Sequence, residues 1–290
     1  MDNNYIYQIK FEAMGTNLEI DIWDNVNEIL KNKIKLEILD FTEKYDKYFS
    51  RFRDDSYINE IKNKIGIFKI SEDFVEIFNI YKILNEVTNG AINPFMGNTI
   101  SDLGYDEKYT LRPKSEVRGT PAWETLINSE NLLANTGVLE IRKVCLIDIG
   151  AIGKGFWVDK VCVILRENNL KKFLVNGSGD MYYSNTLDNE KLKVKLEGTN
   201  IVWELFNEAM CGSGTQIRNW SINEVENLHH VINANTNLPT LSVKNTWIKV
   251  LATIHKYPTA FCDGLATALF FEDESSLKQK LSVEFESLTK

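Results

Sequence analysis

The chain has few of the residues that mark several functional classes. Its four cysteines, Cys145, Cys162, Cys211 and Cys262, are widely spaced and form no C-x-x-C pair. A zinc site of that type is therefore not indicated, and buried, reduced thiols are the expected state. Only three histidines occur, His229, His230 and His255, so candidates for a histidine base are few. Positive charge is in deficit, with 33 Lys and Arg against 41 Asp and Glu and a net charge of −8. Such a balance argues against nucleic acid or an anionic membrane as the main partner. It leaves room for a local anion site, because backbone N–H groups bind phosphate without net positive charge. No run reaches the roughly 18 apolar residues of a membrane span. The start, Met1 to Tyr5, has neither a basic nor an apolar stretch of the signal-peptide kind. A cytoplasmic protein is expected, or a membrane-anchored lipoprotein if a leader has been removed.

What is present suits a folded protein. The chain is 43% apolar and 11% aromatic, enough for a sizeable core and too much for disorder. There is no internal repeat or low-complexity linker, so residues 1–290 read as a single domain. Residues 5–23 alternate as two strands around Met14-Gly15-Thr16. Residues 26–48 and 72–88 carry amphipathic helical patterns, the second ending at Asn89-Gly90. Residues 94–142 read mostly as loops with a few short elements. A strand at 143–149, a glycine turn at Gly150–Gly153 and a helix from Lys154 to Asn168 follow. Further strands are expected at 172–175, 181–184, 192–197, 201–206, 228–233 and 245–254. Sheet and helix interleave without strict alternation, so the fold class is α+β, or irregular α/β, with two lobes.

Three places hold chemistry. In Thr259–Phe271 a nearly apolar stretch carries Asp263 and, four positions on, Thr267. On a helix these share a face. A buried carboxylate needs a partner, a hydrogen bond or a metal, and two neighbouring oxygen ligands suit a hard cation such as Mg²⁺. The plainer alternative is an acid favoured by the helix dipole with Thr267 bonded back to a carbonyl. The turn Asp148-Ile149-Gly150-Ala151-Ile152-Gly153-Lys154-Gly155 sits between strand and helix, where glycines and helix N–H groups suit an anion. It matches neither the P-loop nor the dinucleotide fingerprint, and a tight connection with a solvent lysine is equally consistent. His229 and His230 are adjacent in a strand pattern, so at most one should face a given site. Gly212–Thr215 could cradle a ligand or merely turn the chain.

These segments, in order, resemble the FAD:protein FMN transferases, the ApbE-type flavin transferases formerly called thiamine biosynthesis lipoproteins. Met14-Gly15-Thr16 is similar to the family's M-G-T. Phe49-Ser50-Arg51-Phe52 is similar to F-S-R-[YF]. Asn93-Pro94 through Gly104-Tyr105 resembles the family's D-P…W-G-F-G segment, and Asp148 to Asp159 resembles D-L-G-[GA]-[IV]-[AG]-K-G…[VA]-D. Val175 to Asp180 resembles V-N-x-G-G-D, His229 to Asn233 resembles H-H-I-[IL]-D, and the Asp263 helix resembles A-D-[AG]-L-A-T-A. The resemblance implies a cleft for FAD between two lobes and an essential Mg²⁺, held by Asp263, Thr267 and the Ala151 carbonyl. It implies that Asp148 and Lys154 contact FAD, and that Met14, Ser50, Phe52, Gly104 and Tyr105 line its rings. His230 would lie near the pyrophosphate and is the candidate base. The implied reaction moves FMN from FAD to a Thr or Ser hydroxyl of an acceptor flavoprotein and releases AMP. The alternatives are a metal-dependent FAD pyrophosphatase giving FMN and AMP, and an FAD binder without catalysis. Departures from the pattern are Asn93 for aspartate, Leu103 for an aromatic, Asp106 for glycine, and Asn233-Ala234-Asn235-Thr236-Asn237 for D-P-x-T-G.

Overall fold

The alternating residues at the start fold as a hairpin, with β1 (Tyr7–Ala13) antiparallel to β2 (Thr16–Ile22) and Ala13 opposite Thr16. Its two-residue loop, Met14 and Gly15, has φ of 53° and 68°, as a type I′ turn requires. The structure is a computed structural model describing residues 7–125, 137–216, 219–222 and 225–290. Helix α1 (Glu28–Phe49) starts where the Asn27 side chain accepts from Leu30 N, and it buries a stripe of Ile34, Ile38, Thr42, Tyr45 and Phe49. Then come α2 (Tyr57–Ile61), β3 (Gly66–Lys69) and α3 (Glu72–Val87), the last capped by Ser71 and followed by Asn89 and Gly90 at positive φ. Helix α4 (Gly97–Asp102) precedes β4 (Val138–Ile141), which pairs with β3. Helix α5 (Gly153–Glu167) leads into β5 (Lys172–Asn176) and β6 (Met181–Asn185).

Strands β7 (Leu192–Lys195) and β8 (Val202–Leu205) form a hairpin, followed by β9 (Glu208–Gly214). Strand β10 (Asn219–Ile222) pairs with β11 (Val225–His229), and β12 (Ile232–Asn233) with β13 (Leu238–Pro239). The chain ends in β14 (Asn245–Leu251), α6 (Pro258–Ala268), α7 (Glu274–Leu281) and β15 (Glu286–Thr289). The main sheet has the order β1-β2-β5-β6-β9-β14-β15 with every neighbour antiparallel. Helices α5 and α6 pack on one face and share the large core with α1 and α3. On the other face Leu174, Tyr183, Met210 and Trp247 meet Val194 and Leu205 of the β7–β8 hairpin. A separate cluster, including Ile100, Leu103, Tyr105, Trp220, Leu228 and Ile232, forms a second lobe.

Helices α5 and α6 carry no capping side chain of their own at their N-termini, and each is capped by the other. Asp159 of α5 accepts from Thr259 N at 3.1 Å and Ala260 N at 2.9 Å, while Asp263 of α6 accepts from Gly155 N at 3.1 Å. Each carboxylate thus meets the positive end of the partner helix. The close crossing depends on Gly155, where a Cβ would stand 2.4 Å from Thr259 O.

The structure departs from the sequence expectations in several elements. Residues 143–149 form no ladder strand; Leu146 makes one isolated bridge to Met96. That segment is instead threaded between loops, with Asn63 N, Gly97 N and Asp148 N bonded to Cys145 O, Leu146 O and Pro94 O. Residues 212–214 are part of β9, a central strand, rather than a turn. The expected strand 228–233 breaks at His230 into β11 and β12. All four cysteines are free and buried. No helix among the described residues is long and apolar enough to cross a membrane.

Candidate active site

A cavity of about 470 Å³ opens between the second lobe, the N-terminal end of α5 and the face of α6 that carries Asp263 and Thr267. It gathers Phe52, Tyr105, Asp148, Ala151, Lys154, His230, Asp263 and Thr267 from segments far apart in sequence. A smaller cavity of about 340 Å³ adjoins it, sharing Arg51, Phe52, Asp148 and Lys154 and adding Met14 and Ser50. Gly104 lines neither cavity. It turns the chain behind Tyr105 at φ +105°, where a Cβ would meet Arg112 N at 2.6 Å. Only glycine fits that turn.

The residues that the family resemblance implies as cation ligands come together where α5 meets α6. Asp263 sits in the middle of α6, beyond its first turn, and is buried. Its Oδ2 takes the Gly155 N–H and lies 4.0 Å from Lys154 Nζ. Burial first, and then the neighbouring Asp180 charge, push the Asp263 carboxyl well above the usual carboxylate range. Lys154 bonds Asp180. Burial favours loss of its proton, but the charges of Asp180 and Asp263 outweigh that and hold it charged above the usual lysine range. Thr267 Oγ1 donates to Asp263 O at 3.4 Å, a long back-bond that leaves the hydroxyl oxygen lone pairs available. Asp159, beneath the corner, has its carboxyl pushed up to about 7 by burial, against the N–H donors that it accepts.

Among the described residues no three His, Cys, Asp or Glu side chains cluster as metal ligands. The donors at the corner are one carboxylate, one hydroxyl and the Ala151 main chain, all lining one cavity. Mg²⁺ is held in this way, through one or two carboxylates with phosphate and water completing the shell. Two buried carboxylates, Asp180 and Asp263, share a single lysine, and Asp180 Oδ1 is buried without a hydrogen-bond partner. A divalent cation there would offset the charge of both acids and favour ionised Asp263, so the residues present fit a divalent cation.

The aromatic wall is organised by Arg51. Its Nε pairs with Asp148 Oδ2 at 2.5 Å, its Nη2 donates to Tyr105 O at 2.9 Å, and its guanidinium lies 4.1 Å over the Phe52 ring. The other Asp148 oxygen accepts from Gly150 N at 2.6 Å, which ties the glycine turn to the wall. Tyr109 stacks on Phe52 with ring centroids 5.2 Å apart and planes within 2°. Trp220 stacks on Tyr105 and donates to Leu103 O at 3.1 Å. In the sequence Arg51 and Asp180 stand out only as members of motifs. Their partners, Asp148 and Lys154, lie 97 and 26 positions away, so the pairings were invisible in a linear pattern.

The two adjacent histidines divide as the strand pattern implies. His229 is buried, accepts from Val231 N on Nδ1 and so donates from Nε2 to Thr240 O at 2.6 Å; burial lowers its pKa. It is a structural imidazole. His230 is half-buried, lines the cavity and tilts toward Tyr105 with ring centroids 6.3 Å apart.

The departures from the family pattern have local compensation. Asn93 Nδ2 donates to Pro121 O at 3.0 Å, a bond that a carboxylate cannot make. Leu103 packs into the second-lobe cluster. Asp106 accepts from Lys108 N and Thr110 N and so shapes the loop that carries Tyr109. Asn237 adopts φ +57°, a conformation asparagine tolerates, where the family pattern has glycine. Its side chain accepts from Thr120 N at 2.8 Å.

The arrangement is an α+β fold with one polar and aromatic cleft. The ApbE family model matches residues 14–285, and the chain belongs to that family. It is 25% identical over 244 residues to the FAD:protein FMN transferase of Haemophilus influenzae, covering 79% of this chain and 67% of that protein. Solved structures share the fold, among them two ApbE proteins. The ApbE protein of Thermotoga maritima has a TM-score of 0.79 at 19% identity, covering 98% of this chain and 93% of its own. The flavinyl transferase ApbE of Pseudomonas stutzeri has a TM-score of 0.75 at 16% identity, covering 100% and 96%.

Proposed function

We propose that this chain is a Mg²⁺-dependent transferase that moves FMN from FAD to a Thr or Ser hydroxyl of an acceptor flavoprotein and releases AMP. The observation that carries the reading is the convergence, in one cavity, of Asp263, Thr267, Ala151 and Lys154 with an aromatic wall and His230. In this reading residues 1–290 act as one flavin transferase domain, and a cytoplasmic site of action is part of the proposal. FAD binds with its rings against Phe52, Tyr105, Met14 and Ser50 and its pyrophosphate toward Lys154 and the N-terminus of α5. Asp263, Thr267 and the Ala151 carbonyl hold the cation, which when bound offsets charge on the pyrophosphate.

The acceptor hydroxyl attacks the FMN-side phosphorus. Its oxygen bonds to that phosphorus, the bond to the AMP phosphate breaks, and AMP leaves with the bonding pair. His230 takes the hydroxyl proton. Asp148 and Arg51 act together, fixing the glycine turn against the flavin wall. Lys154, held charged by its two carboxylates, faces the anionic substrate.

The test is AMP release from FAD with and without Mg²⁺, with intact mass of a candidate acceptor. Mg²⁺-dependent AMP release with a covalent FMN adduct is the expected result. Free FMN without adduct, across acceptors, replaces transfer by hydrolysis. Bound FAD with no AMP leaves a binder. Asp263→Ala is expected to abolish Mg²⁺-dependent turnover in a folded protein; wild-type turnover would remove the cation assignment.

A further inference from the structure

We propose that Asp180 is a positioning residue that holds the Lys154 ammonium off Asp263, so that the Asp263 carboxylate stays open to a divalent cation. The proposal rests on the reading of Asp263 as a cation ligand. The turn after β5 brings Asp180 to its place. Gly177 N bonds Asp180 O at 2.7 Å, Gly179 N bonds the Asn176 side chain at 2.9 Å, and Ser178 and Gly179 have φ of 65° and 104°. Asp180 is fully buried. Lys154 and Asp263 line the cavity, and Asp180 does not. It therefore stands behind the corner, out of the position a ligand would take.

Three charges sit in one cluster. Lys154 Nζ bonds Asp180 Oδ2 and lies 4.0 Å from Asp263 Oδ2. One ammonium serves two carboxylates, and it is seated on the one that faces away from substrate. A lysine is a compact charge on a flexible stem, so it follows the strongest nearby field. Without the Asp180 charge, Asp263 is the remaining carboxylate within reach. An ammonium in contact with Asp263 would take the oxygen and the charge that a cation needs. By the distance dependence of the Coulomb interaction at a partly buried site, moving it from 4.0 Å to contact lowers cation affinity by at least about tenfold.

The test compares wild type with Asp180→Asn, Lys154→Met, the double variant and Asp263→Ala. Mg²⁺ binding is followed by calorimetry and Mn²⁺ binding by electron paramagnetic resonance, on the full chain without FAD. Asp180→Asn is expected to bind at least about tenfold more weakly, and the double variant to return to the wild-type range, because the competing ammonium is gone. Wild-type affinity in Asp180→Asn overturns the proposal. So does a double variant as weak as the single one, which makes Asp180 a ligand or a purely structural residue. Asp263→Ala separates the two levels, since wild-type affinity there removes the cation reading itself. A metal-free crystal structure of Asp180→Asn gives an independent readout. Lys154 Nζ is expected within hydrogen-bond distance of Asp263, and an ammonium that stays at the wild-type separation overturns the proposal.

Discussion

Gly155→Ala tests whether the crossing of α5 and α6 sets the geometry of the site. The added Cβ would lie 2.4 Å from Thr259 O, 2.7 Å from Thr259 C and 2.8 Å from Ala260 Cα, where real Cβ contacts do not fall under 3.0 Å. All three are backbone atoms, so no side chain can turn aside. The helices must part by about 0.6 Å, an overpacking that costs about 1–3 kcal/mol. Alanine regains about 1 kcal/mol of helix propensity, which leaves a net loss of up to about 2 kcal/mol. At about 2–4 °C per kcal/mol for a chain of this size, Tm falls by a few degrees. The effect on the site is larger. Asp263 and Thr267 ride on α6, whereas Ala151 and Lys154 lie at the start of α5. A 0.6 Å separation exceeds the roughly 0.2 Å tolerance of metal–oxygen distances, and Mg²⁺ demands near-ideal octahedral geometry. The Mg²⁺ half-saturation for AMP release should rise at least about tenfold. Gly153→Ala is the control, because its Cβ meets the movable Ile149 Cδ1 at 3.1 Å; it should melt at or above wild type. A Gly155→Ala protein with wild-type Tm and wild-type Mg²⁺ dependence would refute the reasoning.

Two further outcomes follow from the surroundings of the site. Asp159, with its carboxyl pushed up to about 7 in the folded chain, adds stability that is fully present below the unfolded carboxylate pKa and lost as pH rises through about 7. Asp159→Asn should therefore flatten the stability difference between about pH 5.5 and pH 8, by about 2 kcal/mol; an unchanged slope in urea melts means that Asp159 is ionised throughout. Asn93→Asp restores the residue usual in the family pattern but sets a carboxylate oxygen against the Pro121 carbonyl in a buried place. It should cost about 1–3 kcal/mol, and a Tm equal to or above wild type contradicts that account.

The readable parts of this fold were those with local physics. Helices α1 and α3 follow from one-sided apolar spacing, with Asn89-Gly90 ending the second, and the β1–β2 hairpin from alternation around Met14-Gly15-Thr16. The misread parts depend on contacts distant in sequence. Gly212 and Gly214 leave a ligand cradle or a turn open in the sequence; they line the cleft, but as the end of a strand that the pattern did not show, because β14 pairs along all of β9 and Trp247 packs over Gly212. The apolar run at 143–149 lacks a ladder because its backbone groups are taken by loops. Within the site, Asp263, Lys154 and His230 could be singled out by residue type and setting. Arg51 and Asp180 could not, since a buried charge reveals its task only through its partner.

The mutual capping of α5 and α6 also has a kinetic meaning. Asp159 meets Thr259 across 100 residues, and Gly155 meets Asp263 across 108. Closing a loop of that length costs entropy before any contact repays it. The corner proposed to hold a cation is thus expected to form late in folding, and a nascent chain ending before Pro258 lacks Asp263 and Thr267, two of its three donors. A cation present during refolding should therefore slow unfolding of the finished protein without speeding the early steps.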